Sequence, residues 1–195
     1  YYANLEAKGR FENNAAVTRE VALMMDPTAD PFAAPAPDAD APVERFGAKD
    51  ANDLSWANLL NAYTCTECGR CTSECPANLT GKKLSPRKIM MDTRDRIEEI
   101  GANIAVNGTF LDDGKSLLGD YITNEELWAC TSCNACVQAC PVDIDPLNII
   151  MKLRNFATME ESSAPGALNA MMTTVENNGA PWPFNQMDRA NWINE

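Results

Sequence analysis

The sequence predicts a mainly α-helical fold built from two pseudo-symmetric halves, and three observations carry that reading. The run CTECGRCTSECP, residues 65–76, recurs as CTSCNACVQACP, residues 130–141, and every cysteine of the second lies 65 positions after its counterpart. Each copy sits in the same frame: a short helical stretch, the cysteines, a proline, a polar turn, then a helix begun by another proline. Helix start and stop signals around both copies are explicit. Self-similarity at a fixed offset marks an internal duplication, so approximate two-fold symmetry about the cysteines is expected.

Element by element, residues 11–25 place Val17, Val21, Met24 and Met25 at helical spacing, which predicts a short amphipathic segment over 1–25, ended by Pro27. DPTADPFAAPAPDADAP follows with five prolines, and residues 26–52 read as an extended linker. Regular structure resumes at Asp53, a plausible N-cap for LSWANLLNAYT. After Pro76, Ser85 is expected to cap a helix with Pro86 in its first position and Gly101 closing it. Asp92 and Arg96 are spaced for an i,i+4 ion pair on that helix. Residues 102–120, with Asn-Gly and Asp-Gly steps, read as loop or a small hairpin. Thr123 and Glu126 form a capping box for NEELWA. Asp145 and Pro146 start PLNIIMKLRNFATME, and a last helix over 165–178 stops at Gly179 before an aromatic tail. The divisions are thus 1–25, the linker 26–52, a core domain 53–161, and a C-terminal helix with tail over 162–195.

Composition narrows the function. No apolar run approaches the roughly 18 residues that a membrane helix needs. No secretory signal is recognised, and a first residue of Tyr1 suggests a processed or truncated chain, or a piece of a longer one. The net charge of −12 argues against nucleic-acid binding, which needs clustered outward Lys and Arg. Histidine is absent, which rules out a His-ligated haem, a Rieske centre, a His₃ zinc site or a Ser-His-Asp triad within these residues.

Three readings compete for the eight cysteines. Disulfide scaffolds belong to secreted and usually far shorter chains. Zinc sites usually separate two Cys-x-x-Cys pairs by a longer stretch, whereas here three thiols are packed at successive i+3 steps. A cubane cluster explains that packing, because one short loop curling round the cube serves three iron corners and the fourth takes its ligand from elsewhere. Both copies match the ferredoxin run C-x₂-C-x₂-C-x₃-C-P, in which the fourth cysteine serves the other cluster. One [4Fe–4S] cluster is then expected on Cys65, Cys68, Cys71 and Cys140, and a second on Cys130, Cys133, Cys136 and Cys75. Pro76 and Pro141 would turn the chain at each cluster edge. Gly69 would admit backbone amides toward the sulfurs, or is an ordinary turn glycine.

Compact bacterial ferredoxins join their motifs closely, but here 54 residues separate Cys75 from Cys130 and hold a long helix. The stretches LLNAYTCTECGRCTSECPANLTGKKLSPRKIMMDTRD and ELWACTSCNACVQACPVDIDPLNIIMKLR resemble an HdrC/GlpC-like α-helical ferredoxin, the kind found in heterodisulfide reductase and in the glycerol-3-phosphate dehydrogenase iron–sulfur subunit. The resemblance extends to the soluble dicluster part of bacterial membrane-anchored (Fe–S)-binding oxidoreductases of the Bacteroidota type. It covers residues 53 to about 160 strongly and the ends more weakly. It implies a relay component of a respiratory-chain oxidoreductase at the cytoplasmic face of the inner membrane. The implied partners are a flavoprotein or CCG-domain protein on one side and a membrane cytochrome b-like module, with haem or quinone, on the other. The chain departs from those relatives in showing neither a membrane module nor a CCG-type cysteine motif.

The expected function is electron transfer through two [4Fe–4S] clusters. The alternative is a structural or oxidant-sensing module. No catalytic residue and no dinucleotide fingerprint is visible, so substrate chemistry would sit on a partner. Six basic residues, Lys82, Lys83, Arg87, Lys88, Arg94 and Arg96, either steer an acidic partner or form a solvated helix face. The paired methionines read as helix packing. Tyr63, Trp128 and Phe156 are expected to shield the clusters. Trp182, Phe184 and Trp192 either dock a partner or fold back.

Overall fold

The computed structural model describes residues 8–9, 15–26, 28 and 45–193. Among these the fold is mainly α, as the repeat predicts; the one β-type pairing is an isolated bridge between Leu118 and Ile122. Residues up to Phe156 and those from Ala157 onward form two compact units. Most of the proline-rich stretch, residues 29–44, lies outside the described residues, as do residues 11–14 of the N-terminal amphipathic segment; α1 spans Ala15–Met25.

Local chemistry sets most helix starts. For α2 (Trp56–Thr64) the N-cap is Ser55, whose hydroxyl accepts from Asn58 N at 3.4 Å. Asp53, expected in that role, instead accepts from the N–H groups of Lys49 and Asp50 and pairs with Arg45 at 2.7 Å. Two four-residue helices follow, α3 (Arg70–Ser73) and α4 (Pro76–Leu79). Ser85 caps α5 (Pro86–Asn107), with Pro86 in its first turn. This helix does not stop at Gly101. It runs to Gly108, where φ of +80 supplies the left-handed turn that ends it. Residues 102–107 are therefore helix, and no hairpin forms over 102–120. Thr123 and Glu126 make the expected capping box of α6 (Asn124–Ala129). α7 (Ala135–Gln138) is the counterpart of α3, and α8 (Pro146–Met159) that of α5. In the second unit α9 (Gly166–Asn178) closes at Gly179, as expected.

The core of the first unit is the face of α8 carrying Ile149, Ile150 and Leu153, set with Ile89, Met90 and Ile100 of α5. Burial of such side chains contributes about 1.5–3 kcal/mol each. Asn58 on α2 donates to Asn148 on α8 at 3.1 Å, so these two buried amides satisfy one another across the helices. The segment before α2 also packs inward: Ala48 and Ala51 are buried, and Ala48 N donates to Lys152 O at 3.0 Å.

Arg96 corrects the expected i,i+4 pair. It is fully buried and bonds Asp50 (2.7–3.1 Å), Asp113 (2.6 and 2.9 Å) and the carbonyl of Lys115 (2.9 Å). Hydrogen bonds that it donates to Asp50 and Asp113 raise its pKa further. The Arg96 guanidinium holds Asp113 down at about 2. Asp92 pairs instead with Lys88 at 2.7 Å.

Candidate metal centre

The two cysteine runs share a backbone. Glu67 and Ser132, 65 positions apart, have φ of +55 and +57, and Gly69 and Asn134, again 65 apart, have φ of +81 and +62. Each left-handed pair bends its run just before α3 or α7, so the duplication read from sequence is present in dihedral angles as well. Gly69 accommodates φ without strain, while Asn134 is among the few other residue types that tolerate it. Asn134 also donates to Gly9 O at 3.1 Å. Gly9 N in turn donates to Asp145 at 2.9 Å, which fastens the N-terminal segment onto the second run.

All eight cysteines are free thiols, so the disulfide reading is out. Cys65, Cys68 and Cys71 of the first run line one cleft together with Cys140 of the second. Cys136, Arg87 and Gly69 line it too, and it spans about 350 Å³ of space with the solvent at its mouth included. Burial pushes the Cys71 thiol up, and the charges of Cys65 and Cys140 push it further. In the other set, burial raises Cys130, with Cys75 and Cys133 adding to the effect. Cys136 is pushed up to about 12, by burial first and then by Cys130, Asp145 and Cys71. Cys65, Cys68, Cys71, Cys136 and Cys140 thus share one cleft, and the charges of Cys75 and Cys133 reach Cys130. The charge of Cys71 reaches Cys136.

These residues fit a cubane better than a single ion. A tetrahedral zinc draws sulfurs to about 2.3 Å from one point, yet among the described residues no three Cys, Asp or Glu side chains converge on one ion position. The thiols instead surround a space. Buried thiols that repel one another become thiolates only against a cationic core, so cofactor binding would release protons. Backbone donors already point at sulfur: Ser132 N lies 3.4 Å from Cys130 Sγ, and Ile144 N lies 3.3 Å from Cys140 Sγ. The backbone N–H of Arg70 lowers the exposed Cys68. Hydrogen bonds to sulfur are one of the levers on cluster potential. Trp128 Nε1, buried two residues before Cys130, has no acceptor among the described residues.

Of the six clustered basic residues, four are paired. Lys83 meets Glu125 at 2.8 Å, Lys88 meets Asp92 and Glu126, Arg94 meets Glu67, and Arg96 is the buried hub already described. Lys82 and Arg87 remain exposed. Tyr63 is half exposed, and Phe156 is buried beneath Arg45 and Lys49. Trp128 is partly buried, with the Arg154 guanidinium 4.9 Å from the centre of its ring. Spacing within one half does not single out Arg154. Aligning the halves on Pro86 and Pro146, 60 positions apart, pairs it with Arg94 and is the signal that finds it. Trp182, Phe184 and Trp192 are exposed.

A family model described as a 4Fe-4S dicluster domain matches residues 64–144. The chain is 34% identical over 185 residues to the "Probable iron-sulfur-binding oxidoreductase FadF" of Bacillus subtilis, covering 80% of this chain and 26% of that protein. It is 30% identical over 171 residues to the "EtfAB:quinone oxidoreductase" of Syntrophomonas wolfei, covering 78% of this chain and 24% of that one. It is 29% identical over 102 residues to a CoB–CoM heterodisulfide reductase iron–sulfur subunit of Methanocaldococcus jannaschii, covering 51% of this chain and 42% of that one. The chain spans about a quarter of the length of the first two. With eight free cysteines in two matching runs, it carries a 4Fe-4S dicluster domain for two [4Fe–4S] clusters, on an α-helical ferredoxin similar to the HdrC-type iron–sulfur subunits of heterodisulfide reductases.

Proposed function

We propose that the chain relays single electrons through two cross-ligated [4Fe–4S] clusters within a larger oxidoreductase. One cluster is held by Cys65, Cys68, Cys71 and Cys140, the other by Cys130, Cys133, Cys136 and Cys75. The observation that carries this reading is the cleft in which Cys136 and Cys140 of the second run join the three leading cysteines of the first. When bound, the clusters supply the one-electron chemistry. The chain's own residues fix the positions of the sulfurs, direct N–H groups toward them and exclude water. The charge of Cys71 reaches Cys136, which marks the short route between the centres.

The substrate reaction belongs to partners. A relative whose name couples EtfAB to quinone supports a flavoprotein-type donor and a quinone acceptor on the membrane side. No helix among the described residues is long and apolar enough to cross a membrane, so in this reading the membrane is met through another module, a cytochrome b-like one, at its cytoplasmic face. Residues 53–161 form the dicluster domain, and the exposed aromatics of 162–195 dock a partner, since aromatics anchor interface cores. A potentiometric titration of the anaerobic protein, followed by EPR, tests the relay. Both clusters should reduce and reoxidise reversibly by one electron each. Clusters that cannot be reduced, or that break down on the first cycle, would leave a structural or oxidant-sensing module instead.

A further inference from the structure

The two cysteine runs differ in charge at three matched positions, Glu67 and Ser132, Arg70 and Ala135, and Glu74 and Ala139, and at the first of these each half brings a matched arginine against the run. Arg94 and Arg154 are equivalent, each eight residues beyond the proline that begins its helix. Glu67 and Ser132 are equivalent too, with nearly the same left-handed φ. In the first half Arg94 forms a close ion pair with Glu67, which lines the cleft of Cys65, Cys68 and Cys71. In the second half Arg154 meets Ser132 Oγ at 3.4 Å and donates to Leu127 O at 2.8 and 3.1 Å and to Cys130 O at 2.6 Å. None of these partners is a carboxylate. Burial lowers the pKa of Arg154, and its charge is felt at the Cys130 thiol.

Reduction of a cluster adds one electron and changes no bond, so the reduced form carries one more negative charge. A half-buried cation whose partners are all neutral stabilises that form more than the oxidised one, because screening there is weak. We propose that this asymmetry sets the two potentials apart. Arg154 favours reduction of the cluster at Cys130, Cys133, Cys136 and Cys75, while Glu67 cancels the equivalent charge beside the cluster at Cys65, Cys68, Cys71 and Cys140. Other charges lie nearby: Asp145 is sensed at Cys136, and the solvent-exposed Arg70 and Arg87 flank the first site. They stay constant across the variants below. The inference rests on the ligand sets proposed above.

The test is an EPR-monitored potentiometric titration of the full chain, purified anaerobically and reduced with dithionite. Arg154→Gln should lower one midpoint and leave the other in place, the affected reduction equilibrium changing at least about tenfold, or about 59 mV for one electron. Arg154→Lys should keep most of the wild-type value. Ser132→Glu should lower the same midpoint while retaining the guanidinium and its hydrogen bonds to Leu127 O and Cys130 O; Glu67 shows that this backbone conformation accepts a glutamate. Glu67→Gln should raise the other midpoint. If Arg154→Gln loses iron because the loop loses its carbonyl partner, Ser132→Glu and Glu67→Gln decide. Unmoved midpoints in those two at full iron content, or two midpoints that shift together, would overturn the inference. Failure of the ligand reading looks different: the wild type itself would hold fewer than two clusters.

Discussion

At Gly47 an added Cβ would collide with Lys152 O and sit 2.8 Å from Phe156 N, and φ there is +83. Both obstacles are backbone of α8, which cannot move without disturbing the packed face of Ile149 and Leu153. Gly47→Ala should therefore destabilise the protein by about 3 kcal/mol or more; a thermal melt unchanged from wild type would contradict that close approach. Nothing in the sequence around Gly47 announces it, because the constraint comes from a helix more than a hundred positions away. Arg96 teaches the same lesson. Local spacing offers Asp92, but a buried guanidinium needs more than one acceptor, and Asp50 and Asp113 satisfy it across 46 and 17 positions. Spacing along one helix cannot show which face is buried. The cysteines are legible for the opposite reason, since a ligand run is set by the shape of the cofactor and is written in consecutive residues.

Among the elements, those set by a local rule are readable. Ser85 with Pro86, and Thr123 with Glu126, cap their helices through side chains within three residues. The far end of α5 is not, because Gly101 and Gly108 both qualify as stops. Gly101 is accommodated inside the helix at about 1 kcal/mol, and it is Gly108 that adopts the left-handed turn. α3 and α7 are different in kind. Helices of four residues cannot nucleate alone in water, so their order comes from packing on their neighbours together with what the adjacent cysteines hold. Removing iron with a chelator should abolish amide protection over residues 66–75 and 131–140, while the 22-residue α5 retains part of its protection. Hydrogen exchange with mass spectrometry reads this directly. Protection of both runs that survives iron removal would show that the loops fold without the clusters.

Across the whole molecule, cross-ligation is what makes the two halves one unit in the proposed relay. In that reading each cluster takes three sulfurs from its own run and one from the other, so neither half completes a site by itself. The polar network follows the same plan, with Lys88 of α5 bonded to Glu126 of α6 at 3.0 Å and Asn58 of α2 to Asn148 of α8. The repeat and its cofactor can be read from residue order. The difference between the halves cannot, because Glu67 and Ser132 matter only through the arginines that reach them in space. The match spans about a quarter of FadF and of the quinone oxidoreductase, and in the proposed relay the dicluster core works between partners. Iron and acid-labile sulfide content of the anaerobically purified chain, with EPR of the dithionite-reduced sample, probes the two-cluster relay most directly. About eight irons and eight sulfides per chain, with a spin-coupled signal from two reduced [4Fe–4S] centres, is the outcome the relay requires. Zinc in place of iron, or a full complement of iron with no reducible signal, would contradict it.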